Sequence, residues 1–154
     1  MLQICNTFPM QRTLILLKPD AVQKSLIGTI TARLEAKGFK IVGMKMLKMD
    51  QTLCDAHYSE HVTKGFYKFL AKFMMAGPII AMAIEGHDAI KVVRTMSGAT
   101  NPADALPGTI RGDFAKNIDN NIIHSSDSEE SAAAEVARFF REDELFEYTR
   151  EFID

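Results

Sequence analysis

His124 follows a short apolar run, Asn121-Ile122-Ile123, and precedes a polar stretch, Ser125-Ser126-Asp127-Ser128-Glu129. The run predicts a strand ending at His124. Ser126-x-x-Glu129 has the form of a capping box, which predicts a helix start just beyond it. A side chain between a strand end and a helix N-terminus lies where free N–H groups and the helix dipole favour anions. An unperturbed imidazole, with a pKa of about 6.5, is mostly neutral near pH 7 and so available as a nucleophile. On local pattern alone, a hydrogen-bonded structural histidine is the commoner outcome. Three cations are candidates to meet an anion there: Lys18 at the end of the first apolar run, Arg94, and Arg111. Guanidinium forks and an ammonium point charge clamp polyphosphates, although each of the three taken singly reads as a solvated surface charge. Thr100 and Asp113 are polar neighbours on the same loop as Arg111.

Two other patterns compete. His57-Tyr58-Ser59-Glu60-His61 fits H-x-x-E-H, and histidines four apart on a helix can touch one metal. Only three fixed residues carry that zinc-hydrolase reading, so a surface histidine pair is the plainer one. Arg111-Gly112-Asp113 spells an adhesion tripeptide that carries no weight by itself. The sequence contains no G-x-x-x-x-G-K-[ST], no G-x-G-x-x-G, no H-R-D and no D-F-G. Phosphoryl chemistry would therefore rest on side-chain cations in place of a glycine-rich loop.

The elements that must position these residues alternate in type. Thr13–Leu17 is an apolar run stopped by Pro19, and predicts a buried strand. Leu26–Lys37 has Ile27, Ile30 and Leu34 at helical spacing, with Gly38 as a stop. Phe39–Met46 partly alternates and predicts a second strand. Asp50 or Thr52 can cap a helix running through His61. Phe66, Phe69, Leu70 and Phe73 mark a further amphipathic helix ending near Gly77. Pro78–Ile84 predicts a central strand, apolar on both faces. His87–Ser97 reads as a helix, and Gly98–Lys116, with Pro102, Pro107, Gly108 and Gly112, as a long irregular loop. A last strand and a helix carrying Val136, Phe139 and Phe140 close the chain.

Composition sets the outer limits. With 154 residues, the chain has the length of one domain, and Leu, Ile, Val and Phe make up roughly a quarter of it. Eighteen basic residues against 20 acidic ones leave a net charge of −2, too even for general nucleic-acid coating. Two cysteines, Cys5 and Cys54, make neither a disulfide framework nor a four-thiolate metal site. The apolar stretch Phe73–Ile84 is too short to span a membrane and is broken by Gly77-Pro78. Met1–Met10 carries no charged side chain and lacks the basic start of a secretory signal, so a cytoplasmic protein is expected.

Four separated motifs, in order, resemble one family. Asn121-Ile122-Ile123-His124-Ser125-Ser126-Asp127-Ser128 resembles the active-site segment of nucleoside diphosphate kinases. Leu17-Lys18-Pro19-Asp20-Ala21-Val22 resembles the family's opening strand motif. Thr100-Asn101-Pro102-Ala103-Asp104, followed by Pro107-Gly108-Thr109-Ile110-Arg111-Gly112-Asp113-Phe114, resembles its long loop. Ala76-Gly77-Pro78 and Glu85-Gly86 are similar to the segments that bound its central strand. The likeness runs collinearly from about Arg12 to Phe140.

The resemblance implies a ferredoxin-like, four-stranded antiparallel sheet covered by helices (α/β, or more narrowly α+β), with the long loop before the last strand. It implies a domain over residues 12–154 and an N-terminal extension over residues 1–11. It implies ping-pong transfer of a γ-phosphate from a nucleoside triphosphate to a nucleoside diphosphate through phosphohistidine on His124. Lys18, Arg94, Arg111 and Thr100 match phosphate contacts, with Tyr58 close to the reacting group. Asn121 matches a ribose contact, which Lys18 also reaches, and Glu135, with Ser126 beside it, matches the group that orients the histidine. Phe66 matches the ring that stacks on the base, with Leu70 and Ile118 completing an apolar slot. Magnesium arrives with the nucleotide, and Asp127 reaches it through water at most, so no direct protein ligand is expected. A homo-oligomer, hexamer or tetramer, is implied, and no specific nucleic-acid binding. Two departures stand out: Ser125, where the family often has glycine, and Lys64-Gly65-Phe66 in place of a more usual Arg-Pro-Phe. The alternative is a non-catalytic nucleotide-binding relative of the same fold.

Overall fold

Pro19 ends one element and starts the next. The apolar run before it forms β1 (Met10–Leu17). Proline, with its φ fixed and its N–H missing, then occupies the first position of a short helix, α1 (Pro19–Gln23). The sequence predicts the strand's end but not this five-residue helix, which is too short to show a period. The computed structural model describes residues 9–150. Beyond α1 come α2 (Ile27–Ala36), β2 (Lys40–Leu47), α3 (Gln51–His57), α4 (Tyr67–Met74) and β3 (Ile79–His87). α5 (Ala89–Ser97), α6 (Ile110–Phe114), β4 (Ile123–Ser125) and α7 (Glu129–Phe139) complete the order. Cys5, most of the expected extension and residues 151–154 lie outside the described residues.

The strands form one four-stranded antiparallel sheet, as expected, and their order is β2-β3-β1-β4. Alternation sorts its side chains into two cores. Leu14 and Leu16 of β1 join Ile79, Ala81 and Ala83 of β3 beneath α3, α4 and α7. Ile15 and Leu17 join Ile80, Met82 and Ile84 beneath α1, α2 and α5. Both central strands are thus apolar on both faces. Cys54 is buried in the first core, and burial pushes its thiol up to about 11, which leaves it unreactive. Among the described residues, no helix is long and apolar enough to cross a membrane.

Several boundaries differ from expectation for local reasons. Asp50 caps α3 as predicted, accepting from the Leu53 N–H at 2.8 Å, but the helix ends at His57, not His61. The expected loop from Gly98 contains a 3-10 turn at Pro102–Asp104 and then α6, capped by Thr109. The predicted capping box at Ser126 is displaced: Ser128 caps α7 through the Ser131 N–H, and Ser126 is used elsewhere. His124 consequently falls in the middle of β4 and not at its end.

The entry to β4 is strained. Ile122 is fully buried at φ +73°, and the Ile123 N–H donates back to the Asn121 carbonyl at 2.8 Å. This is a γ-turn of the rare positive-φ kind, centred on a β-branched residue. Backbone held this way costs about 1–3 kcal/mol and persists only where its surroundings over-determine it.

Candidate active site

β4 is the edge strand next to β1, with Leu16 opposite His124, so the sheet itself sets the height of the imidazole. A chain of side chains sets its rotation. The Leu14 N–H donates to Ser126 Oγ at 3.3 Å, Ser126 Oγ donates to Glu135 Oε2, and Glu135 Oε1 lies 2.8 Å from His124 Nε2. A carboxylate accepts, so Nε2 is the protonated nitrogen and Nδ1 keeps its lone pair. Burial works to raise the Glu135 carboxyl, but its hydrogen bonds with His124 and Ser126 hold it below the usual range. Glu135 thus contacts His124 directly, and Ser126 reaches it only through Glu135.

His124 opens into a cleft of about 460 Å³ that Lys18, Tyr58, Arg94, Thr100, Arg111 and Asn121 also line. Lys18 is buried at the start of α1 and donates from Nζ to Asn121 Oδ1 at 2.6 Å; the Asn121 amide in turn donates to the Thr100 carbonyl at 3.1 Å. Arg111 is fixed on three sides, donating to the carbonyls of Gly98 (2.9 Å), Asn121 (3.2 Å) and Ile123 (2.6 Å). Arg94, more exposed, donates to the Ser125 carbonyl at 3.2 Å. Burial and the nearby Arg111 lower Lys18 to about 8, with Asp20 opposing. Burial and Arg94 lower Arg111 to about 10. Both remain charged near neutral pH, in a site that favours an anion over either cation alone. The Tyr58 hydroxyl is buried with no hydrogen-bond partner among the described residues, and burial raises its pKa.

A larger groove of about 900 Å³ runs between β1 and α7, but its charged residues, Arg12, Glu85 and Glu129 among them, are of mixed sign. Convergent cations make the smaller cleft the candidate site.

The base-side residues are not part of that cleft lining. Phe66 and Ile118 are half-exposed, at 52% and 55%, and Leu70 packs partly against the first core. Phe66 does turn outward, so it is not a core residue with Phe73. Lys64 lies over its ring, 5.9 Å from the centroid, and 3.2 Å from His61 Nδ1. Ser125 has no positive φ, so its Cβ meets no left-handed strain.

Among the cleft residues that the sequence did not assign to this site are His57, read only within the zinc pattern, and Arg138. The His57 ring stands edge-on to His124, centroids 4.7 Å apart, and Arg138 Nη1 lies 3.2 Å from His57 Nδ1. Burial and the charges of His124, Arg138 and Lys18 push His57 down to about 3 against the opposing Glu135, so it is a neutral wall. Arg138 lies three residues beyond Glu135, one turn along the same helix face, and that spacing was the available signal. The zinc pattern loses its geometry, because α3 ends between His57 and His61. Among the described residues, the group able to close on an ion is His57, His124 and Glu135, which belongs to the His124 site itself.

Known proteins resemble this chain in sequence and fold. Residues 11–145 match the family model described as nucleoside diphosphate kinase. The nucleoside diphosphate kinase of Methanocaldococcus jannaschii is 56% identical over 137 residues, covering 89% of this chain and 98% of its own length. That of Pyrococcus horikoshii is 52% identical over 143 residues, 91% of each chain. The solved structure of a halophilic nucleoside diphosphate kinase from Halobacterium salinarum in complex with CDP superposes with a TM-score of 0.90 at 46% identity. It covers 93% of this chain and 95% of that one. The Aquifex aeolicus enzyme superposes with a TM-score of 0.86 at 37% identity, covering 90% and 100%. Fold and site together define a phosphotransferase of the ferredoxin-like kind. The chain belongs to the nucleoside diphosphate kinase family and is an enzyme.

Proposed function

We propose that the chain transfers the γ-phosphate of a nucleoside triphosphate to a nucleoside diphosphate, with Nδ1 of His124 as the nucleophile. The observation that carries this reading is the engagement of Nε2 by Glu135, which leaves Nδ1 as the lone pair in a cleft of cations. Attack of Nδ1 on the γ-phosphorus releases the diphosphate and forms phosphohistidine; a second diphosphate then takes the phosphoryl group. Glu135 holds the proton at Nε2 and stabilises the ring as charge develops on it. Charge in the loose transition state spreads over the transferring oxygens, so fixed donors contribute most. Lys18, Arg94, Arg111 and Thr100 bind the phosphates, and Tyr58 lies close to the reacting group. Asn121, with Lys18, holds the ribose.

Phe66 stacks on the base, with Leu70 and Ile118 beside it. Stacking is worth about 1–3 kcal/mol and accepts any base, so broad nucleotide acceptance follows.

The residues present fit Mg²⁺ carried on the nucleotide. Of the acidic groups lining the cleft, Glu60, Asp127 and Glu135, the last is already engaged, so there is no oxygen cage. Such an ion would keep most of its waters and neutralise phosphate charge, and Asp127 is the residue that would hold it, through water.

The domain is read as residues 12–154, with residues 1–11 an extension whose Met10 and Gln11 already lie on β1. The enzyme is read as cytoplasmic and as a hexamer or tetramer. Met44 and Met46, exposed on the edge strand β2, suit coverage by a second copy. No specific nucleic-acid binding is expected.

Incubation with γ-labelled ATP should place an acid-labile, base-stable label on His124 that GDP removes. Nucleotide binding with no label at all would reject this function in favour of a non-catalytic relative.

A further inference from the structure

The strained turn before His124 needs something to hold it. Arg111 grips the carbonyls on either side of it, at Asn121 and Ile123. The polar groups of Ile122 itself are held from the end of β1. Its carbonyl accepts from the Lys18 N–H at 2.9 Å, and its N–H donates to Asp20 Oδ2 at 3.1 Å. Asp20 is the second residue of α1, only 6% exposed, and its other oxygen, Oδ1, is buried and accepts no hydrogen bond among the described residues. A buried carboxylate with one oxygen unmatched is costly as core filling, and its single hydrogen bond goes to the residue whose backbone is least favourable. Without that acceptor the Ile122 N–H would be a buried orphan in a conformation that isoleucine disfavours.

We propose that Asp20 is a positioning residue for phosphoryl transfer: its carboxylate clamps the γ-turn at Ile122 and thereby fixes where β4 presents His124. This rests on His124 being the phosphorylated residue. The path is short, since Ile122 is two residues from His124 and the next residue, Ile123, already pairs with Leu17. Asp20 contacts no substrate in this account and acts wholly through the backbone. Its competing role is electrostatic, as the carboxylate nearest in sequence to the Lys18 ammonium, opposed by Arg111.

The two roles separate by substitution. Asp20→Ala removes both the acceptor and the charge; Asp20→Asn removes the charge and keeps an oxygen that can accept from Ile122. The readouts are the single-turnover rate of labelling His124 from γ-labelled ATP at pH 6.5, and the dissociation constant for ADP. Displacing a reacting group by about 1 Å can cost on the order of 10²-fold. Asp20→Ala should therefore slow labelling by about 10- to 100-fold while ADP affinity changes by less than about threefold. Asp20→Asn should restore labelling to within about fivefold of the parent, a gap far smaller than the misplacement effect. An unchanged rate in Asp20→Ala overturns the proposal. So does an equal fall in both variants, above all if the alkaline limb of the pH profile moves to lower pH, which assigns Asp20 to Lys18. If Asp20→Ala does not fold, Asp20→Asn alone decides. Near-parental labelling with the Ile122 amide still protected from hydrogen exchange supports the clamp, and a loss of about tenfold or more rejects it. Absence of label on His124 in the unsubstituted protein is a different outcome, and rejects the underlying function instead.

Discussion

The phosphate end and the base end of the proposed nucleotide site are built in opposite ways. At the phosphate end, Lys18, Arg111 and Asn121 are buried and bonded to one another or to backbone carbonyls. At the base end, Phe66 and Ile118 stand half in solvent, and Phe69, one turn further along α4, is 73% exposed. The difference follows the chemistry. Stabilising a transferring phosphoryl group requires charges that do not reorganise, whereas stacking asks only for a flat apolar face.

Substitutions can break or sharpen this contrast. The largest effect belongs to His124→Ala, which should reduce transfer to background while ADP binding, by calorimetry, stays within a few-fold of the parent. Residual transfer with label elsewhere would mean a second nucleophile. Arg111→Lys comes next. The ammonium cannot reproduce a planar fork on three carbonyls, so kcat/KM should fall by about 10²–10³-fold, with a lower melting temperature. A drop in stability without a drop in transfer would make Arg111 purely structural. Glu135→Gln should cost about 10–100-fold in the labelling rate with little change in nucleotide affinity, because the amide keeps an oxygen for Nε2 but loses the carboxylate charge that stabilises the ring as it becomes positive. Phe66→Ala should raise KM about tenfold for every nucleotide tested, within the range for one stacked base. A loss confined to purines would contradict base-blind stacking.

The smallest effect is a pH dependence. Lys18 titrates at about 8 in the free protein, well below an ordinary lysine. As pH rises through that value the positive charge is lost, so kcat/KM should decline on the alkaline side with a midpoint near 8. Below it the charge is fully present. Lys18→Arg should move the decline to higher pH. Stability runs the other way, since burying the charged form is unfavourable: this group adds stability as pH rises from about 8 toward its unfolded value.

What was legible in the sequence follows the same division. β1 and β3 announced themselves through uninterrupted apolar runs, and the two cores follow from simple alternation along them. α1 did not, because five residues are fewer than two helical turns. The capping serine was misplaced because Ser126 and Ser128 offer the same chemistry, and only the position of Glu135, about two turns into α7, decides which is consumed. Lys18, Arg94 and Arg111 looked like surface charges singly; the family resemblance joined them. His57 and Arg138 meet across 81 positions, a contact no local pattern encodes. The turn at Ile122 was invisible for a different reason: its residue type argues against the conformation it adopts.

The guanidinium of Arg111 has a second consequence. It is tied to Gly98 at the loop's start and to both flanks of the turn before β4, so the side chain proposed to bind phosphate also braces the scaffold. A polyanion that draws on it also tightens the border of the sheet, and by mutual linkage a loosened border weakens the grip on the polyanion. Saturation with nucleotide should therefore shield residues 98–123 from proteases well beyond the atoms it touches.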